Sequence, residues 1–173
     1  MNGRNGDAAD RLLLSFLDAQ RDRALAVVAG LSDDQLATSV LPSGWTPLGL
    51  IEHLGHAERH WFQQVAEGSA VDLPWPEDPP REDDDDAGFT TPRRPEAVFA
   101  FYRDQVKRAN AVLDAKPLSA PPLGRHGQGD DDQVTDLRFI VLHMIEETAR
   151  HLGHLDAARE LIDGSTMLGQ DDL

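Results

Sequence analysis

The sequence contains no cysteine. That absence excludes disulfide bridges, a thiolate nucleophile and every cysteine-based zinc site at once. Any thiol chemistry must therefore use a thiol supplied by a substrate. Positive charge is also scarce: 16 Lys and Arg stand against 31 Asp and Glu, a formal charge of −15. Such a surface repels nucleic-acid phosphates and anionic lipid, so neither DNA nor a membrane is expected as a partner. No run approaches the roughly 18 uninterrupted apolar residues of a membrane span. The opening segment MNGRNGDAAD lacks the apolar core of a signal peptide. A soluble, cytoplasmic protein is expected.

What is present is helical periodicity. The 173 residues, 40% of them hydrophobic, suffice for one core and one domain. Leu13, Phe16, Leu17, Ala24, Val27 and Val28 recur at helical spacing, which predicts a first helix from about residue 8 to Ala29, stopped by Gly30. Ser32-Asp33-Asp34-Gln35 has the form of a capping box and predicts a short helical turn. Thr46-Pro47 opens a second helix, with Thr as N-cap and Pro at the first helical position. Its apolar face is Leu50, Ile51, Leu54, Trp61, Phe62 and Val65, and it ends near Gly68.

Residues 69–94 hold Pro74, Pro76, Pro79, Pro80 and Pro92 with the acidic run Asp83 to Asp86, and are expected to form a long solvated loop. Pro95 begins a third helix through Phe99, Tyr102, Val106, Ala109 and Leu113. A second irregular stretch, 116–134, follows. The last helix is predicted from Thr135 as N-cap to Gly164, with a short tail over 165–173. No segment reads as a strand. The expected fold class is all-α: a four-helix bundle with long crossover loops.

Six of the seven histidines fall in two short segments: His53, His56 and His60 on the second helix, and His143, His151 and His154 on the last. Taking about 100° per residue from His143 puts Glu147 near ~40° and His151 near ~80°, at the edge of an apolar arc running from about 60° to about 180°. Residues four apart on a helix meet, so Glu147 and His151 can offer a carboxylate oxygen and an imidazole nitrogen to one point. A third ligand to a divalent ion must come from another helix. On the second helix His53 is oriented best of its three histidines. Glu58 falls near ~140°, inside the apolar arc, where an unpaired carboxylate is costly. It is read as a buried partner for a basic or hydrogen-bonding group, or as a residue supporting the metal ligands. His56, His143 and His154 are read as surface groups or as acid–base and supporting groups near the metal. A ferritin-type di-iron site is not expected, because Glu-x-x-His pairs are lacking.

Gly44-Trp45-Thr46-Pro47-Leu48, then Glu52-His53-Leu54-Gly55-His56-Ala57-Glu58-Arg59, and then Leu142 through His154 (LHMIEETARHLGH) together resemble the DinB superfamily. More narrowly they resemble its actinobacterial-type branch, which includes mycothiol-dependent maleylpyruvate isomerase. The resemblance implies a four-helix bundle with a metal held by a second-helix histidine and two residues four apart on the fourth helix. Those positions match His53, Glu147 and His151, the same three that the face analysis selects. It also suggests a homodimer. The isomerase carries a further C-terminal domain for which this chain leaves no room, so isomerase activity is not expected. The expected function is a metal-dependent S-transferase acting with a low-molecular-weight thiol of the mycothiol type on a small-molecule substrate. Zinc suits this ligand set, and nickel or iron(II) also accept it. The alternatives are a non-catalytic metal- or ligand-binding stress-response protein, and a metal-dependent hydrolase.

Overall fold

The computed structural model describes residues 7–69, 89–126 and 134–166. The acidic run Asp83 to Asp86 and Pro74, Pro76, Pro79 and Pro80 lie outside them, as do 127–133 and the tail from 167. Helix α1 spans Ala8–Val27, its N-terminus capped by Asp7, whose carboxylate accepts from the Asp10 N–H at 2.9 Å. The short α2, Asp33–Leu36, carries the reciprocal Ser32/Gln35 capping box. Helix α3, Pro47–Glu58, begins at Thr46, whose hydroxyl accepts from the Gly49 N–H. Helix α4 spans Pro95–Ala115 and α5 Leu137–Asp163. No strand occurs among the described residues. Nor, among them, is any helix long and apolar enough to cross a membrane.

Two local differences from the sequence reading have physical causes. The cap of α5 is Asp136 rather than Thr135: the Asp136 carboxylate accepts from the Phe139 N–H at 3.0 Å, which places the first helical residue one position later. The second helix is also not uniform. After Glu58 it continues as a π-helix, Arg59–Ala66, whose wider turn lets Arg59 and Gln63 be buried beside Trp61 and Phe62. A wheel drawn at a constant α-helical angle therefore loses register beyond Glu58.

The directions of the helices follow from their contacts. Arg138, at the start of α5, pairs with Asp10 at the start of α1 at 2.8 Å. Arg159, near the end of α5, donates to the Val27 and Ala29 carbonyls at the end of α1. These two helices run parallel. So do α3 and α4, since Gly55 lies against Phe101 and Gln63 donates to Gln105 further along. Leu14 and Leu17 of α1 share a core cluster with Trp61, Phe62 and Val65. Ala24 and Val27 share the other with Leu48, Ile51 and Leu54, so α1 opposes α3. The bundle is thus up-down-down-up, and the connection from α3 to α4 is the crossover that the long segment of the sequence led us to expect.

The two core clusters are separated along the helices by a layer of buried polar side chains, Arg21, Glu58, Gln105 and Thr148. Arg21 Nε and Nη2 donate to the two oxygens of Glu58, each at 2.7 Å, and Nη1 donates to Asn110 at 3.0 Å. This fork-to-fork geometry offsets the desolvation of both charges.

Candidate metal centre

The site forms where the first half of α3 faces the second half of α5. His53 lies between the buried residues Glu52 and Leu54, and α5 presents Glu147 and His151 one turn apart. His53 Nε2 and His151 Nε2 each lie 3.1 Å from the same oxygen, Glu147 Oε1. The ligand atoms of the three residues all lie within 4.8 Å of one another, and among the described residues this is the one such group that could hold a metal ion. Two imidazole nitrogens and a carboxylate oxygen are a donor set that zinc, nickel and iron(II) accept. The side chains remain 22%, 21% and 12% exposed for His53, Glu147 and His151, so the site is sheltered without being fully buried.

The electrostatics favour the ligand forms. Hydrogen bonds from His151, then from His53, hold the Glu147 carboxyl far below its ordinary 4.5, against the opposing effect of burial. Burial lowers the His53 pKa below 6.5, with the Glu147 hydrogen bond opposing. At neutral pH the carboxylate is therefore charged and the His53 imidazole neutral, the states in which both bind a cation.

One wall of the site is aromatic. The Phe89 ring stacks on His53 with centroids 4.0 Å apart and planes at 20°. Trp45 packs on Phe89 at 4.7 Å and on His154 at 4.6 Å. Trp45 belongs to the Gly-Trp-Thr-Pro motif, and that motif was the available signal for it. Phe89 sits in a segment without periodicity and had none.

The remaining candidates are distributed differently. His56 lies 3.6 Å from Glu52 Oε1 and packs on Phe101, while His154 is exposed against Trp45. Glu58 is 1% exposed and occupied by Arg21, which is the buried-partner role rather than support for the metal ligands. His60 binds Gln64 and His126, each at 2.8 Å. His143 packs on Trp61 at 4.3 Å. His60, His126 and His143 thus gather around Trp61 in the other core half. His126, the isolated seventh histidine, was not singled out by the sequence pattern.

The comparisons with known proteins agree with this architecture. No curated protein matches the sequence. A conserved protein from Enterococcus faecalis, known from its crystal structure, superposes with a TM-score of 0.61 at 16% identity, over 90% of this chain and 97% of that one. At that identity the likeness establishes the fold alone. The family model of the mycothiol S-transferases matches residues 12–164, spanning α1 to the end of α5. The chain therefore belongs to the mycothiol S-transferase family of DinB-like helical bundles.

Proposed function

We propose that this protein is a metal-dependent S-transferase that joins a low-molecular-weight thiol of the mycothiol type to a small electrophile. The observation that carries the reading is the convergence of His53, Glu147 and His151 within 4.8 Å, in a chain of the mycothiol S-transferase family. Zinc is the proposed ion, with nickel and iron(II) compatible with the same donors. When bound, such an ion supplies Lewis acidity, which lowers the pKa of a thiol placed beside it.

The chain's own residues define the rest. His53, Glu147 and His151 hold the ion, and Glu147 contributes the one negative charge among them. Phe89 and Trp45 shield one side from water. The absence of cysteine means that the reacting sulfur arrives with the substrate. In the reaction, the thiol gives its proton to solvent, its sulfur forms a bond to the electrophilic carbon, and the leaving group departs with its bonding electron pair.

The test is metal analysis of the purified protein, followed by an assay of thiol consumption with an electrophile. Stoichiometric metal that disappears in Glu147→Ala, together with metal-dependent turnover, is expected. Metal that raises the melting temperature without any turnover would favour a non-catalytic binding protein, and protein that takes up no metal would overturn the reading.

A further inference from the structure

We propose that Glu52 is a positioning residue for the His53 imidazole, acting through the strap Phe89–Arg93. The inference rests on the metal reading above and goes beyond the three ligands.

The strap is fastened to the start of α3 at three points. The Thr46 N–H donates to the Phe89 carbonyl at 2.9 Å. At Gly49 the Phe89 carbonyl approaches so closely that a Cβ would stand 2.0 Å from its oxygen. Glu52 then faces the Thr91 side chain, which favours its ionised form, and its Oε1 lies 3.6 Å from Arg93 Nε. Thr46, Gly49 and Glu52 recur every third residue, so they line one side of the helix. His53 follows Glu52 directly, and the strap delivers Phe89 onto its ring at 4.0 Å.

Glu52 is a charged group in a buried place. Its carboxylate is 5% exposed and its Oε2 has no hydrogen-bond partner among the described residues, yet against the effect of burial the groups of His56, Thr91 and Arg93 that face it hold its carboxyl below the ordinary carboxylate range. Oε1 faces both Arg93 and His56 at 3.6 Å. The carboxylate thereby ties the strap to the helix that carries His53. Residues that orient a ligating histidine govern metal affinity without touching the metal.

The experiment compares the full-length protein with Glu52→Gln, Phe89→Leu and, as a control, Asp10→Asn. Asp10 pairs with Arg138 at the opposite end of the bundle. Zinc affinity is measured by competition with a chromophoric chelator. In the metal-free protein, diethyl pyrocarbonate modification of His53 is followed by mass spectrometry. We expect zinc dissociation constants raised about tenfold to a hundredfold in Glu52→Gln and Phe89→Leu, with severalfold faster modification of His53 and neither change in Asp10→Asn. Unchanged affinity and reactivity in both site variants would overturn the inference and leave the S-transferase reading intact. Equal losses in Asp10→Asn would overturn it too, by reducing the effect to general destabilisation. Absence of zinc binding in the parent protein would sink the metal reading, while the His53 modification rates still decide the positioning role. If Glu52→Gln does not fold, Thr91→Val and Arg93→Gln, which remove the groups of the strap that Glu52 faces, decide in its place by the same two readouts.

Discussion

His53 and Glu147 lie 94 positions apart in the chain and are joined by one hydrogen bond of 3.1 Å, from the imidazole Nε2 to Oε1. His151 Nε2 reaches the same oxygen at the same distance. A single carboxylate oxygen thus gathers two imidazoles from opposing helices, which brings the three candidate donor atoms within 4.8 Å of one another.

Glu147→Gln keeps the size of the side chain and removes its charge. Loss of supporting residues alone weakens metal affinity ten- to a hundredfold, and loss of the anionic ligand is expected to weaken it by at least about tenfold. Chelator competition measures this, and unchanged affinity would exclude Glu147 from the ligand set.

The pH dependence of the metal-free protein has a definite sign. His53 has a folded-state pKa below its ordinary 6.5, so the folded state binds fewer protons than the unfolded one. Its contribution to stability is complete above 6.5 and is lost as pH falls through the depressed folded value. Glu147, also depressed, adds a second loss below 4.5. The melting temperature should therefore fall as pH drops below 6.5, less steeply in His53→Gln. Bound metal should dissociate on acidification, because protons compete for the same ligand atoms. Thermal melts across this range, with and without metal, check both statements.

Arg21 and Glu58 form a fully buried pair. Removing one partner strands the other charge, so Arg21→Ala should destabilise the fold by about 3–5 kcal/mol. Arg21→Met combined with Glu58→Leu removes both charges and should recover most of that loss. Urea unfolding of the single and double variants makes the comparison. A double variant as unstable as the single would show that the layer acts by more than charge compensation.

Gly49→Ala drives a Cβ into the Phe89 carbonyl. Overpacking of this kind costs about 1–3 kcal/mol. Because the strap must yield, Phe89 should lift from His53 and Trp45, which a change in tryptophan fluorescence reports alongside the lowered melting temperature. Gly153→Ala, with nothing within 4 Å of the added Cβ, is the matched control and should be neutral or slightly stabilising.

Much of this was legible because it is local. Periodicity, caps and prolines mark the helices, and the i, i+4 spacing alone pairs Glu147 with His151. His53 could be ranked above His56 and His60 by face angle, yet the margin was narrow, and beyond Glu58 the π-winding invalidated the wheel on which His60 had been placed. The buried carboxylate of Glu58 announced a partner without naming it. That partner, Arg21, lies on α1, and no local pattern connects the two.

Taken by itself, then, the sequence determined the helices, their apolar faces, the carboxylate–imidazole clamp and the lack of any thiol of the chain's own. These follow from spacing along one helix or from composition. Tertiary structure decided which histidine of α3 meets that clamp, that Arg21 answers Glu58, and that Phe89 from an aperiodic segment covers His53. Each of those depends on how two helices or a strap are set against each other, and that is fixed by the packing of both core clusters together rather than by any one segment.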